Sequence, residues 1–164
     1  MERDEYVSKD PQKACLFFVG HSDAPEAIYD EIFHSIGWLF EQHGVTEFWS
    51  GGYGAFDRIC ERAVRAWKQS GAPIRLVLVL AYPPKAGRCE QERYGGYDEL
   101  YLPDLGRVPS RAAIARRNLV IAAQVKYILA WVQYDFGGAS KTLTAAECAG
   151  AAVYRVGQQQ SACK

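Results

Sequence analysis

The sequence VTEFWSGGYGAFDRICERAV, residues 45–64, passes from an apolar run through a glycine cluster into an amphipathic stretch. Val45–Trp49 predicts a buried strand, and Phe56–Trp67 carries apolar residues at helical spacing and predicts a helix. A glycine turn between a strand and a helix leaves backbone N–H groups at the positive end of the helix dipole, where phosphates commonly bind. The glycines of this turn are Gly51, Gly52 and Gly54.

The sequence YILAWVQYDFGGASKTLTAAECAG, residues 127–150, has the same order of features. Tyr127–Val132 predicts a strand, Gly137 and Gly138 a turn, and Ser140–Ala149 a helix. A single cluster of this kind is equally well explained as a tight turn, because glycine is the usual residue there. Two clusters with hydroxyl groups beside them favour an anion-binding site. The hydroxyl groups expected beside the clusters belong to Ser50, Ser140 and Thr142.

Strands and helices alternate along the rest of the chain, which predicts an α/β fold with a mostly parallel sheet and helices on both faces. Ile74–Ala81 is the most apolar run, and we expect it to be a central strand. The other predicted elements are strands at Cys15–Val19, Asp98–Leu102 and Val153–Val156 and helices at Ile28–Phe40 and Ser110–Gln124. We expect a single domain over residues 1–164, with a core of about 14–156.

Composition excludes several classes of function. The 19 basic and 19 acidic residues balance, so nucleic-acid binding is disfavoured. The charged N-terminus and the lack of a run of ~20 apolar residues predict a cytoplasmic protein with no membrane contact. Five cysteines without a CxxC pair predict reduced thiols, and the three scattered histidines predict no metal site. We expect no cofactor, and a homo-oligomer is left open.

Polar or glycine-rich loops follow four of the predicted strands. In an open parallel sheet, ligands bind outside the carboxyl ends of the strands, where the strand order reverses. We therefore expect these loops to meet at one edge of the sheet, with three tyrosines available to stack on a base. The loops are 20–22, 50–54, 82–84 and 134–138, and the tyrosines are Tyr53, Tyr82 and Tyr134. The long irregular segment 82–110 is predicted to be a functional cover or flap.

Three parts of the chain resemble the SLOG superfamily: VGHSDAP (19–25), SGGYGAFD (50–57), and RRNLVIAAQVKYILAW (116–131) leading into FGGASKTLTAAE (136–147). This superfamily includes DNA-processing A proteins, cytokinin-activating phosphoribohydrolases, molybdenum-cofactor carriers and small stand-alone bacterial proteins, which the chain resembles most. The resemblance implies a Rossmann-like three-layer fold. It also implies a nucleotide or nucleotide-derived small-molecule ligand, held by a binding protein that acts as a ligand sensor.

The resemblance and the glycine clusters together predict a set of ligand-binding residues. Arg116 and Arg117 are adjacent on a predicted helix and point about 100° apart, so only one of them faces a pocket, and the resemblance favours Arg117. Asp57 has an equally good explanation as a favourable charge near a helix N-terminus. The predicted residues are Gly20, His21, Ser50, Gly51, Gly52, Gly54, Asp57, Arg117, Asn118, Gly137, Gly138, Ser140 and Thr142.

Whether the protein is an enzyme is left open by the sequence. The alternative function is that of a phosphoribohydrolase, which cleaves the N-glycosidic bond of a nucleoside 5'-monophosphate with the help of a glutamate. Arg117 and Glu147 are the catalytic residues that the resemblance would supply, but Glu147 lies too far along its helix to match. The chain also departs from the superfamily at Ser22, where arginine is common, and at Phe136, where serine or proline is common.

Overall fold

The computed structural model describes residues 15–84 and 90–158. Six strands form one sheet in which every pairing is parallel. The strands are β1 (Cys15–Gly20), β2 (Glu47–Ser50), β3 (Arg75–Val79), β4 (Glu99–Tyr101), β5 (Tyr127–Trp131) and β6 (Ala152–Arg155). The α-helices are α1 (Tyr29–His43), α2 (Gly54–Gln69), α3 (Glu90–Tyr94), α4 (Ala113–Ala122) and α5 (Gly137–Cys148), with 3₁₀ turns at Glu26–Ile28 and Ser110–Ala112.

The strand order is β4-β3-β2-β1-β5-β6. The chain builds outward from β1 to β4 and then returns to the other side of β1 with β5, so the order reverses between β1 and β5. Alternate residues of β1 enter two cores: Phe18 packs with Ile36 of α1 and Phe56 of α2, whereas Phe17 packs with Ile121 and Leu143 of α4 and α5. The sheet therefore has helices on both faces, and the predicted three-layer α/β fold is confirmed.

The prediction that the most apolar run is a central strand was wrong. The structure places β3 second from one edge, and β2 and β1 occupy the middle of the sheet. In a parallel sheet a strand is buried by the helices on the two faces. Leu76 and Val77 face opposite cores and are fully buried. Burial on both faces therefore explains why this run is apolar, although β3 is not at the centre of the sheet.

Two other local predictions change. The short helix α3 lies within the segment predicted to be irregular, and α5 begins at Gly137 rather than at Ser140. Cys15 Sγ donates to Glu47 Oε2 at 3.2 Å, and Cys60 and Cys148 form no disulfide within the described residues; Cys89 and Cys163 lie outside them. Within 15–84 and 90–158, no helix is long and apolar enough to cross a bilayer.

Candidate functional site

The carboxyl ends of all six strands lie at one edge of the sheet, because every strand pair is parallel. The loops that leave this edge surround two adjoining cavities. The first, called the switch-point cavity, has a volume of about 210 Å³ and lies where the end of β1, the loop after β2, α4 and the start of α5 meet. The second, called the tyrosine cleft, has a volume of about 570 Å³ and lies between the loop after β2, the end of β3 and α3.

Most of the predicted ligand-binding residues meet at the switch-point cavity. Three strand-to-helix loops and the helix α4 contribute to its lining, as the convergence argument predicts. The predicted residues in the lining are Gly20, Gly51, Gly54, Asp57, Arg117, Asn118, Gly138 and Thr142. Ser22 also lines the cavity, in the position where arginine is common in the SLOG superfamily.

Arg117 is the buried cation of this cavity, with only 2% of its surface exposed. Its Nη1 donates to the carbonyl oxygens of Gly51 at 3.1 Å and Val79 at 2.7 Å, and its Nε donates to Asn118 Oδ1 at 3.0 Å. Burial lowers the pKa of the Arg117 guanidinium from its usual value, and the charge of Asp57 opposes this change. Arg117 therefore joins the loop after β2 to the end of β3. Nη2 has no acceptor among the described residues.

Gly51 is required by the position of this guanidinium. A Cβ atom at Gly51 would lie 2.7 Å from Arg117 Nη2, closer than nonbonded atoms approach. The glycine thus allows the arginine to reach the backbone of the loop. The sequence pattern alone predicts the glycine as a turn residue and the arginine as a ligand contact, and the structure shows that they also support each other.

Asp57, on the first turn of α2, combines burial with a changed pKa. Its Oδ2 accepts the backbone N–H of Tyr53, the residue before α2, at 3.1 Å, and 8% of the residue is exposed. Burial raises the pKa of Asp57 to about 7, and the negative charge of Glu61 acts in the same direction. Asp57 thus accepts a hydrogen bond at the start of α2. It also lines the switch-point cavity, as a carboxyl group with a pKa of about 7.

Ser50 faces the protein interior. Its Oγ donates to Glu61 Oε1 at 2.7 Å and accepts the N–H of Gly52 at 3.1 Å. The hydroxyl of Tyr97 donates to the same Glu61 oxygen at 2.7 Å. Ser50 therefore organises the glycine loop from below and does not line either cavity.

Sequence reasoning missed Glu61, which accepts the Ser50 hydroxyl, and Tyr97, which donates to the same Glu61 oxygen. A signal for Glu61 was present, because this carboxylate lies between Cys60 and Ala63 on the buried stripe of α2. A buried carboxylate needs partners. The partner Tyr97 lies in the irregular segment, and its distance of 36 residues from Glu61 leaves no local pattern.

The remaining glycines of the predicted site differ from Gly51 in what surrounds them. A Cβ atom at Gly20 would lie 2.3 Å from the ring of Phe56, so glycine lets the end of β1 pack on α2. Gly52 lines the tyrosine cleft and has a φ of 72°. Gly137 and Gly138 begin α5, and a Cβ atom at either would meet nothing within 4 Å.

The hydroxyl groups predicted beside the second glycine cluster are used locally or lie outside the cavity. Thr142 Oγ1 donates to the carbonyl oxygen of Gly138 at 2.8 Å and lines the switch-point cavity. Ser140 is absent from the lining, and its carbonyl oxygen accepts Thr144 Oγ1 at 3.0 Å.

His21 and Glu147 are not brought into the switch-point cavity. The ring of His21 contacts that of Tyr134 in a tilted arrangement, with the ring centroids 4.6 Å apart, and its Nε2 accepts the Tyr134 N–H at 3.3 Å. Glu147 forms an exposed ion pair with Arg155 at 2.8 Å. Among the carboxylic acids of the described chain, Asp57 is the one in the cavity lining. No group of three His, Cys, Asp or Glu residues in 15–84 and 90–158 is placed to hold a metal ion.

Comparison with solved structures gives two similar folds. The Moco carrier protein from Chlamydomonas reinhardtii is 18% identical, with a TM-score of 0.57 over 91% of this chain and 79% of that one. The protein TM1055 is 15% identical, with a TM-score of 0.51 over 85% of this chain and 71% of that one. No protein-family model matches the chain, and comparison with curated proteins gives no match. The similarity confirms the Rossmann-like fold that the SLOG resemblance implies.

Proposed function

We propose that this protein binds a phosphate-bearing nucleotide or nucleotide-derived small molecule in the switch-point cavity and acts as a ligand sensor. The observation that carries the proposal is the meeting of three strand-to-helix loops around the buried Arg117, at the point where the strand order reverses. Open α/β sheets bind their ligands at this point. The similarity in fold to a Moco carrier protein supports a small-molecule ligand.

The charges around the cavity favour an anion. The helices α2 and α5 both begin at its edge, and neither has a side-chain cap on its first N–H groups. One of the early N–H groups of α2, that of Ala55, donates to the Ser22 carbonyl oxygen at 3.0 Å. The others add to the positive end of the helix dipole, and Arg117 Nη2 adds a further donor. Asp57 opposes a phosphate least when it is protonated, which its pKa of about 7 allows near neutral pH.

The phosphoribohydrolase alternative is weakened by the position of Glu147. That carboxylate is paired with Arg155 on the surface, so Arg117 and Glu147 do not form a catalytic pair. Hydrolysis would have to use Asp57, whose pKa near 7 suits an acid or base. We expect binding without release of free base.

Binding is tested by thermal unfolding with nucleoside mono-, di- and cyclic phosphates and nucleotide sugars. A ligand at about 100 times its dissociation constant should stabilise the native state by about 2.7 kcal/mol. The discriminating variant is Gly138→Asp, with Gly138→Asn as its control. A side chain at position 138 would meet open space. An aspartate there, in the first turn of α5, stabilises the helix but repels a bound anion.

We expect Gly138→Asp to fold and to lose the ligand-induced shift, and Gly138→Asn to keep it. The absence of a shift with every compound in the wild-type protein would contradict the proposal. Each nucleotide is also incubated with the protein and separated by chromatography. Steady release of base that stops in Asp57→Asn would favour the hydrolase instead.

A further inference from the structure

We infer that the tyrosine cleft is the second half of the ligand site and holds a planar, neutral or anionic heterocycle joined to the phosphate in the switch-point cavity. This inference rests on the proposed function, because it extends the same ligand. The switch-point cavity, at about 210 Å³, is smaller than the pockets of roughly 300–1,000 Å³ that enclose whole ligands of this kind. The tyrosine cleft supplies about 570 Å³ more.

The two cavities adjoin at one loop. Gly51 and Tyr53 line both of them. Tyr53 is 54% exposed, its backbone N–H is held by Asp57, and its ring centroid lies 5.6 Å from the guanidinium carbon of Arg117. Tyr53 therefore lies between a phosphate beside Arg117 and the cleft, where a ligand that fills both cavities would pass its ring.

The cleft presents aromatic rings that are already held in place. The hydroxyl of Tyr82 donates to the Ser110 carbonyl oxygen at 2.6 Å, and that of Tyr97 donates to Glu61 at 2.7 Å. Tyr53 and Tyr94 complete the set. Rings fixed by their own hydroxyl groups lose little rotamer freedom on binding, and ring faces stack on any heteroaromatic base.

The charge of the cleft limits the class of heterocycle. Among the lining residues, the charged one is Arg93, whose guanidinium carbon lies 5.9 Å from the ring centroid of Tyr94. None of the described lining residues carries a carboxylate, so among them a cationic ring would have no partner. An oxo-substituted base such as guanine, which is neutral and offers O6 and N7 as acceptors for Arg93, fits this charge pattern.

The test compares three probes by isothermal titration calorimetry: inorganic phosphate, ribose 5-phosphate and guanosine 5'-monophosphate. Phosphate and ribose 5-phosphate report on the switch-point cavity, and the nucleotide reports on both cavities. We expect the nucleotide to bind roughly tenfold or more tightly than ribose 5-phosphate because of stacking. In Tyr94→Leu, which changes the cleft alone, this advantage should fall by about fivefold or more, while ribose 5-phosphate binds unchanged.

Tyr94→Phe is the matched control, because it keeps the ring, and its nucleotide affinity should equal that of the wild-type protein. Equal affinities for ribose 5-phosphate and the nucleotide would overturn the inference and leave the proposed function intact. A nucleotide advantage that survives in Tyr94→Leu would also overturn it. Failure of all three probes to bind would overturn the inference, and would contradict the proposed function as well if no compound of the thermal-unfolding screen gives a shift.

Discussion

The two glycine loops have similar sequences, SGG at 50–52 and FGG at 136–138, but very different surroundings. The first is held from below by Ser50 and Glu61 and from the side by Arg117. In the second, Thr142 of the same helix donates to the Gly138 carbonyl oxygen, while Phe136 is 68% exposed and its ring stacks on Tyr134 at 5.3 Å. One side of the switch-point cavity is thus fixed before a ligand arrives, and the other side is open.

This difference shows that a glycine cluster carries two kinds of information. In the first loop, glycine provides space, because the guanidinium of Arg117 lies where a side chain at Gly51 would be. In the second loop, Gly138 has free space around it, and the absence of a side chain leaves the start of α5 open to a ligand. Holding one loop in its bound geometry reduces the cost of ordering it on binding. We expect substitutions in the supports of the first loop to affect folding, and substitutions in the second loop to affect binding.

The largest effect is expected from Arg117→Met, with Arg116→Met as control. The first change leaves the carbonyl oxygens of Gly51 and Val79 without their buried, charged donor. We expect a loss of about 3 kcal/mol in the free energy of unfolding. Arg116 is exposed, so its loss should cost less than about 0.5 kcal/mol. Urea denaturation measures both. Equal effects of the two variants would show that Arg117 does not hold the first loop.

The next effect is a pH dependence that comes from Asp57. Burial raises its pKa from 3.8 to about 7, so the folded protein binds an extra proton between these values. The free energy of unfolding therefore falls as the pH rises from 5 to 7, by roughly 2–3 kcal/mol, and levels off above the folded pKa. Ionisation of the buried carboxylate is the cause of this loss, and the hydrogen bond from the Tyr53 N–H offsets part of it.

Asp57→Asn keeps an acceptor for the Tyr53 N–H and cannot ionise. The stability of this variant relative to wild type should rise between pH 5 and 7, because only the wild type loses stability as Asp57 ionises, and should become constant above the folded pKa. Urea denaturation at several pH values gives the curve. A difference that does not vary between pH 5 and 7 would mean that Asp57 is ionised throughout, with an ordinary pKa. The second loop provides the comparison, because the first turn of α5 carries no acidic residue.

The fold was largely predictable because it depends on local patterns. Short apolar runs followed by glycine gave the strands, and 3.6-residue periodicity in Phe56–Trp67 gave α2. The position of β3 in the sheet was not predictable from its apolar character, since burial by helices on both faces looks the same in any strand that has them. The irregular segment hid α3, which spans only five residues and has no room for a periodic pattern.

The candidate site was predictable in part for a related reason. Gly51, Gly54 and Gly138 were found from their place between a strand and a helix, and the structure brings them to one cavity. The direction of a side chain was not predictable: Ser50 faces inward because Glu61 needs a donor there. Glu147, expected from the sequence to lie too far along its helix, is absent from the cavity lining and pairs with Arg155.

The last and smallest effect separates the two loops by the sign of a stability change. In Gly54→Ala, the φ of 84° is unfavourable for a side chain, and the new Cβ would lie 2.8 Å from the Cα of Ser22. We expect a loss of about 2 kcal/mol. In Gly138→Ala, open space and a helical position should give a gain of roughly 0.5 kcal/mol, because alanine restricts the unfolded chain. Urea denaturation gives both values. Losses of similar size in the two variants would show that the second loop is as tightly held as the first, and the distinction between a fixed side and an open side of the cavity would fail.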